Sequence, residues 1–107
     1  MPLFAGAVAF DAGTGNTSAL SPTTTSHTCT GSDRMMVVFT SIGSSGDATE
    51  VKYNNIALAD KGGELFSTVG YRTWAAIGPD SGANNVVVDY SGGGADVGTF
   101  IFSFTGG

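Results

Sequence analysis

The feature that most limits the fold of this chain is its punctuation. Short runs rich in Val, Ile, Thr, Phe and Tyr are separated at near-regular intervals by clusters of Gly, Asn, Asp and Ser. β-Branched and aromatic side chains fit a pleated sheet, and the intervening clusters fit turns. The residues that a solvent-facing helix needs are scarce: two Glu, two Lys, two Arg and no Gln stand against 17 Gly, 13 Thr and 11 Ser. The pattern predicts an all-β fold: a single jelly-roll or β-sandwich domain of eight to nine short antiparallel strands. A chain of 107 residues accommodates one such domain, spanning 1–107, and is too short for two.

Strands are expected over Leu3–Asp11, Ser26–Thr30, Arg34–Ile42, Thr49–Tyr53, Ile56–Ala59, Glu64–Val69, Gly70–Ile77, Asn85–Tyr90 and Val97–Thr105. Asp11–Asn16 reads as a turn or loop. Thr17–Thr25, which contains Pro22, reads as a loop or a weak edge strand. Asn54-Asn55 predicts a two-residue hairpin, because Asn tolerates positive φ. Lys61–Gly63, Gly78–Gly82 and Ser91–Gly94 are expected turns or loops. Two strands stand out. Arg34–Ile42 is apolar on both faces, as in a central strand covered on both sides or one that meets a partner. In Val97–Thr105, Phe100, Phe102 and Phe104 share one face, opposite Thr99, Ile101 and Ser103.

Charge and composition exclude several function classes. The net charge is −5, and Arg34, Lys52, Lys61 and Arg72 are scattered. A nucleic-acid face needs clustered cations. No apolar run approaches the roughly 20 residues of a membrane span. Met1-Pro2-Leu3-Phe4 has no basic region ahead of it and does not read as a signal peptide. Synthesis in the cytoplasm is therefore expected. The single cysteine, Cys29, precludes an intrachain disulfide and fits a reducing compartment.

No catalytic constellation is evident, so the expectation is a protein that is not an enzyme. His27 is the only histidine. A triad would need it beside a serine and an acid, and no G-x-S-x-G motif is present; a structural histidine is the favoured reading. Cys29 lies two residues away on the same strand face, but a metal site needs three or four ligands, and no second Cys or His exists. The carboxylates Asp11, Asp33, Asp47, Glu50, Asp60, Glu64, Asp80, Asp89 and Asp96 fall mostly in expected loops. They lack calcium-loop spacing, and turn formation explains them better. Ser91-Gly92-Gly93-Gly94 lacks the Lys and helix of a phosphate loop. No metal or cofactor is expected. Trp74, Tyr71, Tyr53 and Tyr90 are candidates for a sugar-stacking platform, although a lone Trp in a sandwich is more often core.

The stretch Ser26-His27-Thr28-Cys29-Thr30-Gly31-Ser32-Asp33-Arg34-Met35-Met36-Val37-Val38 resembles a small jelly-roll domain found in tailed-phage virion proteins and modular bacterial proteins. Val51–Leu58, Asn85–Gly92 and Phe102–Gly106 fit the same pattern. The resemblance implies a virion structural protein, in particular a capsid decoration (cement) protein that binds the major capsid protein lattice and stabilises the head. It would be made in the host cytoplasm, assembled on the virion, and gathered as a homo-oligomer, a trimer at lattice three-fold points. It would work without nucleic acid or membrane. Residues 1–10 either form the first strand of their own sheet or add to a neighbour's sheet edge. On the second reading Met1, Pro2, Leu3 and Phe4 are interface residues. The alternative function is a carbohydrate-binding or adhesive β-sandwich module.

Overall fold

The computed structural model describes residues 8–18, 23–43, 46–66, 69–91 and 97–106. Every regular element among them is a strand: β1 (Ala9–Ser18), β2 (Thr23–Cys29), β3 (Met35–Ile42), β4 (Asp47–Tyr53), β5 (Ile56–Ala57), β6 (Ala59–Phe66), β7 (Val69–Ile77), β8 (Gly82–Ser91) and β9 (Val97–Thr105). They form two antiparallel sheets, one ordered β1-β9-β3-β7-β6 and the other β2-β8-β4-β5.

The pairing has a simple logic. The first strand pairs with the last (β1 with β9), the second with the last but one (β2 with β8), β3 with β7, and β4 with β5. A long hairpin rolled up on itself gives this order, the winding of a jelly roll. β6 is an additional edge strand on β7. The expected single β-sandwich domain is what the chain forms.

Local chemistry places the turns and one bulge. Asn54 and Asn55 adopt positive φ (50° and 65°), closing the β4–β5 hairpin as expected. Two expectations need correction. Asp11–Asn16 is not a turn but the body of β1. Its inward polar residues are held by hydrogen bonds: Thr14 to His27, and Asn16 Nδ2 to Thr25 Oγ1 at 2.8 Å. The stretch Thr17–Thr25, expected as a loop or weak edge strand, contributes the end of edge strand β1 and, from Thr23, the start of edge strand β2, while residues 19–22 lie outside the described residues. Nor is Lys61–Gly63 a turn between strands. It forms a bulge within β6, where the register against β7 shifts between Asp60 and Gly63 and Asp60 Oδ1 accepts the Gly62 N–H at 2.8 Å. A short side-chain turn is thereby absorbed into a strand.

The core between the sheets is built from alternate residues. β3 contributes Met36, Val38 and Ile42, β9 contributes Val97 and Ile101, β7 contributes Trp74, and the opposite sheet supplies Val51, Tyr53, Val86, Val88 and Cys29. At one edge Arg72 joins the two sheets. Its guanidinium reaches Asp47 on β4 (Nη2 to Oδ2, 2.8 Å) and Asp60 on β6 (Nη1 to Oδ2, 2.9 Å). Two carboxylates hold the Arg72 proton more tightly than in free arginine, with Asp47 the larger cause. The pairs are only partly buried, so Arg72→Ala should cost about 2 kcal/mol, between an exposed pair and a broken buried one. Chemical denaturation with an unchanged slope would register that loss.

Candidate functional site

The two outer faces of the sandwich differ in polarity. On the four-stranded sheet, Thr24, Ser26 and Thr28 of β2 point outward beside Asn85 of β8, and Glu50 and Lys52 form a half-exposed ion pair at 3.3 Å. Val87 lies at the centre of this face between Thr24 and Lys52, and the residues around it are mainly polar.

The outer face of the five-stranded sheet is its opposite. Register sets Phe39 against Phe100, Val37 against Phe102 and Met35 against Phe104. On one flank Phe10 stands against Phe104; on the other, Tyr71, Thr73, Ala75 and Ile77 continue the row outward from β3. The rings form two contacting groups along the face. Phe10 meets Phe104 edge-on at 6.0 Å, and Phe39 lies 5.7 Å from Tyr71 and 6.4 Å from Phe100. Phe10 is 61% exposed and Ile77 84%, while Phe39, Phe100, Phe102 and Met35 are each more than a third exposed.

The face is also flat. Glycines occupy the outward positions of β1 opposite the Phe rings. A Cβ on Gly13 would sit 3.3 Å from Phe10 Cζ, and one on Gly15 would sit 3.4 Å from Phe100 Cδ1. The rings therefore lie down over the glycine backbone. At one end the face drops into a recess of about 480 Å³ walled by Val8, Met35, Ile77 and Phe104, with Arg34 at its side. Arg34 is itself tied to main-chain carbonyls, Nε to Pro79 and Nη1 to Gly31, both at 2.7 Å.

A buried polar chain crosses between the sheets at the β1–β2–β9 side. His27, fully buried on β2, contacts Thr14 Oγ1 through Nδ1 at 2.7 Å and Ser103 Oγ through Nε2 at 2.8 Å. Ser103 donates its proton to Asp11 Oδ2 at 2.9 Å, and Asp11 also accepts from the Thr30 amide at 2.9 Å and from the Thr30 hydroxyl. Ser103 has one proton, so His27 Nε2–H donates to it and the bare Nδ1 accepts from Thr14. Burial holds the His27 pKa below its ordinary value, against the opposing pull of Asp11. The two Thr30 hydrogen bonds hold Asp11 below the usual carboxylate range.

These are the three residue types of a hydrolytic triad, but the proton order is wrong for one. A nucleophilic serine must hand its proton to histidine, with the acid on the far side of the ring. Here the acid takes the serine proton and the histidine donates to the serine. Both Ser103 and His27 lie in the interior away from solvent. The arrangement acts as a strut tying β2 to β1 and β9.

The other candidates suggested by the sequence separate in the structure. Trp74 is 3% exposed and donates from Nε1 to Thr40 Oγ1 at 3.1 Å. Tyr53 is buried, donates to the His27 and Gly82 carbonyls, and has its pKa raised chiefly by burial. Tyr71 lies on the outer aromatic face. A platform of Trp74 with the tyrosines is therefore not assembled, because the large rings of Trp74 and Tyr53 fill the core. Cys29 is buried, and among the described residues no three His, Cys, Asp or Glu side chains converge as metal ligands. No helix among them is long and apolar enough to cross a membrane. Met1, Pro2, Leu3 and Phe4, the expected interface, lie outside the described residues, as do Gly92, Gly93 and Gly94.

Sequence reasoning missed the outer face as a site, though both signals for it were present. β3 is apolar on both sides, and Phe100, Phe102 and Phe104 alternate with Thr99, Ile101 and Ser103. The usual assumption that Phe points inward hides the result, because here Thr99, Ile101 and Ser103 are the buried set. Comparison of the chain with protein families, curated proteins and solved structures finds no match.

Proposed function

We propose that the protein is a structural docking domain that covers another protein's surface with the outer face of its five-stranded sheet. The observation that carries this reading is the Phe-rich, apolar outer face of one sheet opposed to a mainly polar one on the other. Apolar patches on monomers rarely exceed a few hundred Å² unless they serve an interaction. The face is broad and level, with no deep cleft at its centre, which suits a flat partner. Phe, unlike Tyr or Trp, offers no polar atom for a sugar hydroxyl, so an apolar protein surface is favoured over a glycan.

The resemblance of Ser26–Val38 to tailed-phage virion domains supplies the kind of surface: a capsid lattice, with the major capsid protein as partner and the virion as the place of action. Many copies on a symmetric lattice convert modest single contacts into firm attachment, and three-fold lattice points would gather them as trimers. Function then resides in clamping and not in turnover. The test is co-sedimentation with tailed-phage capsids lacking decoration. Attachment at a fixed copy number per capsomer is expected, and Phe39→Ser or Phe102→Ser should weaken it at least about tenfold. Thr24→Ala and Ser26→Ala on the hydrophilic face should leave it unchanged. Attachment indifferent to the Phe substitutions, or retention on a glycan array without capsid binding, overturns the reading.

A further inference from the structure

We propose that in free solution the aromatic face is closed by a second copy of the chain, the two sandwiches packing outer face to outer face about a two-fold axis. Three observations favour a second copy as the occupant.

The first is area. With about 150–250 Å² for a whole aromatic side chain, the exposed parts of Phe10, Phe39, Phe100 and Phe102 present roughly 350 Å². Val8, Met35 and Ile77, also exposed, bring the face to roughly 600–700 Å², close to the about 800 Å² per partner of a standard interface.

The second is charge. The chain carries −5 overall, so two copies repel unless they meet where charge is absent. The described ion pairs lie elsewhere: Lys52 with Glu50 on the hydrophilic face, and Arg72 with Asp47 and Asp60 at the β6 edge. The rows Phe10–Phe104–Met35–Ile77, Gly13–Phe102–Val37–Ala75 and Gly15–Phe100–Phe39–Thr73 contain no charged residue; charge reaches the face at its rim, where Asp33 and Arg34 line the recess and Glu64 stands beside Tyr71. This is the surface on which like-charged copies meet at least cost.

The third is shape. A two-fold contact must be self-complementary. Ile77, the most exposed large apolar side chain among the described residues, borders the recess lined by Val8, Met35 and Phe104. Projection and recess thus sit side by side on one patch, and a two-fold axis can bring each against the other. The level centre suits the face-to-face packing of sheets found within sandwiches.

The dimer uses the same face as the docking reading and rests on it in one respect: lattice attachment would then require the dimer to open, keeping the face covered until a lattice is present. Sedimentation velocity of the whole chain alone tests the dimer, across about 1 to about 100 μM, the range in which an interface of this size is resolved. Twice the single-chain mass is expected, with Phe39→Ser and Phe102→Ser each weakening the association at least about tenfold. Phe100→Lys, which sets two cations against each other, should give a monomer. Circular dichroism melts verify that each variant is folded, and Thr28→Ala on the hydrophilic face should leave the dimer intact. A wild-type monomer across the whole range, or a dimer unmoved by all three face substitutions, overturns the inference. A dimer that ignores capsids supports it and overturns the docking reading; a monomer that attaches to capsids does the reverse.

Discussion

Replacing His27 with alanine is expected to cost about 4 kcal/mol of the roughly 5–15 kcal/mol that stabilises a domain of this size. Two effects combine. Removing a fully buried imidazole leaves a cavity between β2 and β9. It also takes the hydrogen-bond partner from half-buried Thr14 Oγ1 and the donor from buried Ser103, which keeps its bond to Asp11, leaving hydrogen-bonding capacity unfilled. Urea titration would show the loss as a lower midpoint at nearly unchanged slope. The same residue makes the wild-type protein pH-sensitive in a window of its own. Burial lowers the folded-state pKa of His27 below its ordinary 6.5, so below that pH the unfolded chain binds the extra proton and the folded chain does not. Stability is fully present above about pH 6.5 and falls as the pH drops toward the folded pKa, by at most about 1.4 kcal/mol per pH unit for one proton. Asp11 also has a lowered pKa, but its contribution is lost only as the pH falls below its ordinary 3.8, well outside that window. His27 is the only histidine. His27→Gln, which keeps an amide donor but cannot titrate, should therefore flatten the stability profile just below pH 6.5. A slope that survives the substitution would mean that the histidine is not held neutral.

How much of this was legible in the sequence depends on the kind of signal. Strand identity was written in composition and alternation, and β9 falls on the expected residues, Val97–Thr105. The Asn54-Asn55 hairpin was written in backbone chemistry. What misled was local turn chemistry overruled by distant partners. Asp11–Asn16 looks like a turn because Gly13 and Gly15 weaken a strand, yet nine register pairs with β9 hold β1 extended, and Phe10, Phe100 and Phe102 cover its glycines. The His27 strut was illegible for a related reason: Asp11, Thr14, His27 and Ser103 span most of the chain, and only the first-with-last winding brings them together. The outer face was half legible. Alternation grouped Phe100, Phe102 and Phe104 on one side of β9, but a period of two does not say which side faces the core. That choice was made by the partner strands, where Trp74, Met36 and Val38 claim the interior and leave the phenylalanines outside.

The same division gives the second large effect. Trp74→Ala should cost about 3–5 kcal/mol, the range for truncating a large buried aromatic, because Trp74 sits in the centre of β7 among core residues and its Nε1–H satisfies Thr40. Trp74→Phe, which keeps most of the ring volume and loses that hydrogen bond, should cost about 1–2 kcal/mol. Neither side chain touches the outer face, so Trp74→Phe should leave self-association and capsid attachment where they were. Phe102→Ser should show the converse. Because 40% of Phe102 is already in water, its replacement should cost about 2 kcal/mol, less than Trp74→Ala, with association lost. The contrast rests on strand alternation together with the pairing that turns Trp74 inward and Phe102 outward. Trp74 is also the only tryptophan, so its emission reports the core and not the docking face. It should stay blue-shifted and constant while dimer or lattice contacts form, and move to the red only when the sandwich opens. Emission that shifted on binding, or Trp74→Phe abolishing attachment in a folded protein, would return the tryptophan to the functional surface and reopen the carbohydrate-platform reading.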